Sequence, residues 1–208
     1  MATKIKICGI TRPEDGWAAH EAGADALGMV FYAKSSRAVT AEQVAQWRGE
    51  LPPLVTVVGL FVNADPDTVR RTIEMCALDR VQLHGDETPE GAAQFGARSF
   101  KALRVAEAGD LSAAETYSGC GLLLDAKVKG AYGGTGASFD WSLLSSWQSP
   151  KPLLLAGGLN PDNVADAVRQ VRPYGVDVSS GVEASPGIKD VVKMQRFCAE
   201  VRRADGEN

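Results

Sequence analysis

Short apolar runs recur along the chain, and each is followed by a stretch whose apolar positions have helical spacing. The runs are five to nine residues long and nearly continuous in apolar character, as expected for parallel strands that are covered on both faces. The predicted strands are Lys4–Cys8, Ala24–Tyr32, Leu54–Val62, Arg80–His84, Ser99–Val105, Gly121–Asp125, Pro152–Ala156 and Gly175–Ser179. The pattern therefore predicts eight strand–helix units.

The stretches between the strands carry the signals that begin and end helices. Capping residues and prolines mark several starts, and Gly23 marks the first end. The predicted helices are Pro13–Ala22 with Thr11 as its N-cap, Thr40–Trp47, Asp65–Cys76, a helix opened by Thr88, a weak helix over Asp110–Tyr117, a stretch over Asp140–Trp147, a helix opened by Asn160, and Ile188–Arg203.

The fold class follows from the number of units. Eight units in 208 residues leave about 26 residues for each, which is short but sufficient for a (β/α)8 barrel. An open doubly wound sheet is the alternative, but no G-x-G-x-x-G follows the first strand. We therefore predict an α/β protein, a TIM barrel that forms a single domain over residues 1–208.

Composition and charge argue against several classes of protein. Hydrophobic residues make up 45% of the chain and the net charge is −4, which is ordinary for a globular protein and unlike one that coats nucleic acid. No apolar run approaches the ~20 residues that cross a bilayer, and no export signal is visible. Four scattered cysteines and two histidines favour neither disulfides nor a metal site. We expect a cytoplasmic protein without metal or cofactor, and no nucleic-acid or membrane partner.

Reactive residues fall where a barrel places its active site. The carboxyl ends of the strands and the loops after them build that site in TIM barrels. The residues at five predicted strand ends are Cys8, His84, Asp125, Gly157 with Gly158, and Ser179 with Ser180 and Gly181. These groups are therefore expected at one mouth of the barrel.

Two clusters on adjacent strands suggest a phosphate site. Gly157 and Gly158 let the backbone approach a ligand, and the run from Ser179 to Gly181 adds hydroxyl and amide donors. A glycine pair alone more often only turns the chain. Because the loops after strands seven and eight form the usual phosphate cradle of barrels, we favour the binding site.

Cys8 and Asp125 are a candidate base and acid on opposite sides of the mouth. A thiol works as a base when its surroundings favour the thiolate, and a buried carboxyl can stay protonated as an acid. A packed thiol and a loop-capping aspartate are the plainer readings. Arg37 could clamp a carboxylate, or could be solvated. His84 is expected to shape the pocket wall, most simply as a histidine bonded to backbone. The loop Lys127–Gly136 is expected to close as a lid.

The sequence resembles the phosphoribosylanthranilate isomerases of tryptophan biosynthesis. The resemblance covers nearly the whole chain, in family order. It rests on the segments Lys6–Thr11, Gly28–Tyr32 with Ser35–Arg37, Val81–Gly85, Leu122–Asp125, Gly133–Gly136 with Phe139–Trp141, Ala156–Pro161 and Val176–Glu183.

The resemblance implies an Amadori rearrangement of N-(5-phosphoribosyl)anthranilate to 1-(2-carboxyphenylamino)-1-deoxyribulose 5-phosphate. It implies that Cys8 is the general base and Asp125 the general acid. It also implies that Arg37 holds the anthranilate carboxylate. The remaining implied substrate contacts are Gly158, Ser179, Ser180 and Gly181 at the phosphate, with Asp177 shaping the site.

Three other functions share part of this residue pattern. The related isomerase of histidine biosynthesis uses two aspartates, whereas the first strand here ends in Cys8. A pentulose-phosphate epimerase would need a metal and paired histidines. A non-catalytic barrel that senses a phosphorylated sugar would keep the glycine and serine clusters but would need neither Cys8 nor Asp125. The chain could be a monomer or a homodimer.

Overall fold

Eight parallel strands close into a barrel in the computed structural model, which describes residues 2–126 and 140–207. The strands are β1 (Lys4–Cys8), β2 (Ala26–Phe31), β3 (Thr56–Phe61), β4 (Arg80–Leu83), β5 (Ser99–Val105), β6 (Gly121–Ala126), β7 (Leu153–Leu155) and β8 (Gly175–Val178). Each strand pairs with the next in sequence, and β8 closes the circle on β1 with Ile5 opposite Val176. The predicted (β/α)8 barrel is confirmed.

Helices follow most strands on the outside of the barrel. The α-helices are α1 (Pro13–Ala22), α2 (Ala41–Trp47), α3 (Pro66–Met75), α4 (Pro89–Ala93), α5 (Val164–Val171) and α6 (Val191–Gly206). Thr40 caps α2 in a reciprocal capping box with Gln43, and Asp65 and Thr88 cap α3 and α4. These three starts agree with the sequence signals.

Five predicted helix details were wrong. The N-cap of α1 is Arg12, because the Thr11 hydroxyl donates instead to the carbonyl of Gly187. The unit after β5 is a 3-10 helix over Ala108–Thr116, and a four-residue 3-10 helix over Trp141–Leu144 replaces the expected helix there. Two bounds also moved: α5 begins at Val164, and α6 begins only at Val191 because β10 (Ile188–Lys189) pairs with β9 (Glu183–Ser185).

Alternate strand residues divide the core into two parts. Outward residues such as Ile5 and Ile7 of β1 pack against the helices in the main core. Inward residues fill the barrel in two groups. One group is Val58, Phe100, Ala102, Leu123 and Ala156, and the other is Cys8, Val30, Leu60 and Val62, three of which line the cavity at the carboxyl ends. Functional side chains near the carboxyl ends therefore stand on a packed floor.

None of the helices within residues 2–126 and 140–207 is both long enough and apolar enough to cross a membrane.

Candidate active site

An open cavity lies at the carboxyl ends of the strands. Nine of the ten candidate residues line it: Cys8, Arg37, His84, Asp125, Gly157, Gly158, Asp177, Ser179 and Ser180. Apolar walls come from Val30, Leu60 and Ala156, and Tyr32 adds an aromatic edge. The structure thus brings together the residues that the sequence predicted at one mouth.

Cys8 stands beside a buried lysine that the sequence reasoning did not single out. Lys6 lies two residues earlier on β1, so its side chain points to the same inner face. A Cβ added at Gly28 of β2 would lie 2.8 Å from the Cys8 sulfur and 3.0 Å from the Lys6 ammonium nitrogen. The two groups are therefore within about 6 Å of each other, in space that only a glycine leaves free.

The charges around Cys8 act in opposite directions on its ionisation. Burial raises the pKa of the Cys8 thiol above its ordinary value, while attraction to the Lys6 ammonium opposes that effect. Lys6 itself donates to Asp177 at 2.7 Å, and both side chains are almost fully buried. Burial would lower the pKa of Lys6, but attraction to Asp177 and Cys8 outweighs it and raises that pKa. Lys6 thus stays charged next to the sulfur.

A second buried group of charges adjoins the first. Arg37 binds Glu183 through Nε and Nη2, both at 2.7 Å, and Lys189 donates to the same carboxylate at 3.0 Å. The pKa of Glu183 is lowered, because its hydrogen bond to Arg37 and the Lys189 charge outweigh burial; burial lowers the pKa of Lys189. The Nε–Nη2 edge of Arg37 is therefore already occupied.

The three cations Lys6, Arg37 and Lys189 face two carboxylates, Asp177 and Glu183. One positive charge is left in excess within this set. A buried excess charge of this sign favours an anion beside it. A Cys8 thiolate or an anionic ligand in the cavity would supply that charge.

His84 and Asp125 meet on the other side of the cavity. Nε2 of His84 lies 3.2 Å from Oδ2 of Asp125, and Nδ1 lies 2.7 Å from Nε2 of Gln82. The expectation that His84 bonds to backbone was therefore wrong, because both ring nitrogens meet side chains. Oδ1 of Asp125 accepts from the amide of Ala126 at 2.9 Å. This leaves Oδ2 as the oxygen shared between His84 and the cavity.

The glycine pair allows a close approach to Asp125. Gly157 and Gly158 have φ values of 85° and 65°, in the left-handed region that favours glycine. A Cβ on Gly157 would lie 2.7 Å from the amide nitrogen of Ala126 and 3.1 Å from Oδ1 of Asp125. The loop after β7 can therefore pass directly over the end of β6.

The loop after β8 turns into a short 3-10 helix over Ser180–Val182. The first amides of such a turn have no acceptor within it and can face a ligand. Ser179 and Ser180 line the cavity, but Gly181 does not. A Cβ on Gly181 would lie only 2.0 Å from the carbonyl oxygen of Leu159, so glycine is required there for contact between the two loops.

Several residues of the site escaped the sequence reasoning. Lys6 and Gln82 could have been found by alternation, because each precedes a candidate, Cys8 or His84, by two positions on one strand. Lys189 gives no local signal, since only the fold brings it to Glu183. The predicted lid Lys127–Gly136 lies outside the described residues.

Comparison with known proteins adds a consistent result. The sequence model of the family described as N-(5'phosphoribosyl)anthranilate (PRA) isomerase matches residues 5–200. A protein of Magnetococcus marinus named N-(5'-phosphoribosyl)anthranilate isomerase is 64% identical over 204 residues, covering 98% of this chain and 97% of that protein. One with the same name from Myxococcus xanthus is 52% identical over 202 residues, covering 95% of each.

Solved structures agree with the sequence matches. The crystal structure of phosphoribosyl anthranilate isomerase from Thermotoga maritima has a TM-score of 0.88 and 42% identity, covering 97% of this chain and 99% of that one. A phosphoribosyl anthranilate isomerase in complex with reduced 1-(o-carboxyphenylamino)-1-deoxyribulose 5-phosphate has a TM-score of 0.85 and 39% identity, with the same coverage.

Proposed function

Because the chain belongs to the N-(5'-phosphoribosyl)anthranilate isomerase family and is an isomerase of tryptophan biosynthesis, we propose that Cys8 is its general base and Asp125 its general acid. The proposed reaction is the Amadori rearrangement of N-(5-phosphoribosyl)anthranilate to 1-(2-carboxyphenylamino)-1-deoxyribulose 5-phosphate. The observation that carries the proposal is the single cavity lined by both groups, from β1 and from β6.

The reaction requires an acid step at the ring oxygen and a base step at C2, and each is followed by a proton transfer that restores the side chain. Protonated Asp125 gives its proton to the furanose ring oxygen, the bond from that oxygen to C1 breaks, and the nitrogen lone pair forms a protonated Schiff base. The Cys8 thiolate then takes the proton from C2, which gives an enolamine. The Cys8 thiol then gives a proton to C1, the C2 hydroxyl gives its proton to the Asp125 carboxylate, and the ketone forms. Acid and base steps of this kind suit side chains that are held on opposite sides of one ligand.

Lys6 supports the assignment of Cys8. A thiolate is the reactive form, and burial alone disfavours it. The Lys6 ammonium, kept charged by Asp177, offsets part of that penalty. Ionisation of Cys8 also balances the excess positive charge of the surrounding set.

The substrate's two anionic ends have separate candidate partners. We assign the phosphate to the loops after β7 and β8, with Gly157, Gly158, Ser179 and Ser180 at the cavity and Gly181 holding the two loops together. The anthranilate carboxylate is assigned to Arg37. A guanidinium carries five N–H donors, and Glu183 takes two of them, so the carboxylate would meet the remaining edge.

The proposed function also includes the ligand, compartment and oligomeric state of the enzyme. Its partner is the small phosphorylated substrate, as the complex of the related isomerase suggests. We propose that it acts in the cytoplasm without a cofactor or metal, as a monomer or a homodimer. A related isomerase from Thermotoga maritima is described as dimeric.

The test follows the loss of the substrate's anthranilate fluorescence in steady-state assays. Cys8→Ala and Asp125→Asn should each lower kcat at least ~10²-fold, the scale of losing a general base or acid. Cys198→Ala, at another buried cysteine, and Asp166→Asn, at an exposed aspartate, are the matched controls and should keep wild-type turnover. Wild-type kcat in either test variant would contradict the assignment. Binding without any turnover by the wild type would favour a sensor.

A further inference from the structure

Gln82 is a buried polar residue that the proposed reaction does not use. It is completely buried in β4, two positions before His84 on the same inner face. Its Nε2 lies 2.7 Å from Nδ1 of His84, while its Oε1 has no hydrogen-bond partner among the described residues. A buried amide oxygen without a partner is uncommon and calls for an explanation.

The orientation of the Gln82 carboxamide determines which ring nitrogen of His84 carries the proton. When Nε2 of Gln82 donates to Nδ1, that ring nitrogen is unprotonated and the proton sits on Nε2 of His84. Nε2–H then donates to Oδ2 of Asp125, which accepts most strongly as a carboxylate. This network suits Asp125 after it has lost its proton.

The opposite arrangement suits Asp125 before the transfer. If the carboxamide turns over, Oε1 accepts from a protonated Nδ1, and Nε2 of His84 has a free lone pair. That lone pair accepts a hydrogen bond from protonated Oδ2 of Asp125. Within the described part of the chain neither end of the amide has another partner, so each orientation of Gln82 makes one hydrogen bond to His84.

We propose that Gln82 is a positioning residue whose carboxamide turns over between these two orientations, so that His84 first accepts a hydrogen bond from the Asp125 acid and then donates one to its carboxylate. This inference rests on the proposed function, in which Asp125 is the acid. It extends that function by giving Gln82 and His84 defined parts in it.

The protons balance through the cycle. Before the transfer, the pair holds one proton on Oδ2 of Asp125 and one on Nδ1 of His84. The Oδ2 proton goes to the furanose oxygen, and the remaining proton moves from Nδ1 to Nε2 of His84 by exchange with water as Gln82 turns. Asp125 regains a proton when the C2 hydroxyl of the enolamine becomes the ketone, and the His84 proton returns from Nε2 to Nδ1, again by exchange with water, as Gln82 turns back.

Nitrogen-15 NMR of the imidazole rings tests the proposal without relying on activity. The chain has two histidines, His84 and the exposed His20, so His20 serves as an internal reference and His20→Asn assigns the signals. In the wild type we expect Nδ1 of His84 to give a shift between the protonated and unprotonated values, because two tautomers exchange. In Gln82→Glu the carboxylate can only accept, so Nδ1 should carry a proton throughout.

Kinetics of the same variants supply the second readout. Gln82→Glu and the apolar Gln82→Met should lower kcat about tenfold, part of what a general acid contributes, while KM changes by less than about threefold. Thr72→Val removes a different, partly buried side-chain hydrogen bond, to the Thr68 carbonyl in α3, and should match the wild type.

Three results would overturn the inference. One is a single fixed tautomer of His84 in the wild type that Gln82→Glu leaves unchanged. Another is the expected tautomer change together with wild-type kcat in Gln82→Glu and Gln82→Met. That result would show that Gln82 does not affect proton transfer from Asp125, and it would leave the proposed function intact. The third is wild-type turnover in Asp125→Asn, which would remove the acid itself and with it the proposed function.

Discussion

Replacing Lys6 with methionine tests whether the buried ammonium makes Cys8 reactive. Methionine keeps the length and packing of the side chain but removes its charge. The substitution leaves the Asp177 charge acting on the thiol without Lys6 to oppose it, and Asp177 disfavours the thiolate. Both effects act in the same direction, so the variant should contain less Cys8 thiolate than the wild type at any given pH below the thiol's own pKa.

The magnitude follows from the geometry at Gly28. A separation of at most about 6 Å between the sulfur and the ammonium, at an effective dielectric constant of about 20, gives at least about 3 kcal/mol of attraction. That energy corresponds to roughly a hundredfold smaller thiolate fraction. Lys6 is 2% exposed, so solvent screens the interaction little. The double variant Lys6→Met, Asp177→Asn removes both charges and should fall between the wild type and the single variant.

Alkylation by iodoacetamide, followed by peptide mass spectrometry, measures the effect. Cys120 is exposed and supplies a reference rate within the same molecule. The ratio of Cys8 to Cys120 labelling at pH 8 should fall at least about tenfold in Lys6→Met, which allows for relaxation of the site. Breaking a buried ion pair costs about 3–5 kcal/mol, so thermal unfolding must confirm that each variant is folded. An unchanged or increased ratio in folded protein would refute the role of Lys6.

Three further predictions concern the same cavity. Gly28→Ala should lower kcat at least about tenfold in steady-state assays, because its Cβ would meet the Cys8 sulfur. Gly49→Ala adds a Cβ in open space and should keep the wild-type kcat. Equal kcat values in the two variants would contradict this prediction. Glu183→Gln should raise KM about tenfold with little change in kcat, since Arg37 loses the charge that orients it; an unchanged KM would separate Arg37 from binding. Burial raises the pKa of Cys8, and a base acts when deprotonated, so kcat/KM should increase with pH into the alkaline range; a flat profile there would oppose a Cys8 base.

The fold was largely predictable because its strands are simple apolar runs. β1 and β5 have the predicted bounds, and the other strands differ only by a residue or two at their ends. The errors lie where local signals compete with tertiary contacts. Thr11 has the chemistry of an N-cap, but its hydroxyl is drawn to the Gly187 carbonyl, and a hairpin formed by β9 and β10 delays the start of α6.

The candidate site was predictable only at the ends of the strands. Cys8, Asp125 and Ser179 line the cavity, as their positions after apolar runs suggested. The partners that adjust their chemistry were less visible. The pairing of Arg37 with Glu183 joins residues 146 positions apart, and no spacing rule in the sequence indicates it.

A deuterium isotope effect measured with substrate labelled at C2 tests most directly which group moves which proton. Cys8→Ser should slow removal of the C2 proton until that step limits turnover, so a primary isotope effect well above one should appear on kcat/KM. Asp125→Asn should slow ring opening instead, and its isotope effect should be close to one. A large isotope effect in Asp125→Asn together with none in Cys8→Ser would contradict the assignment of Cys8 as the base and Asp125 as the acid.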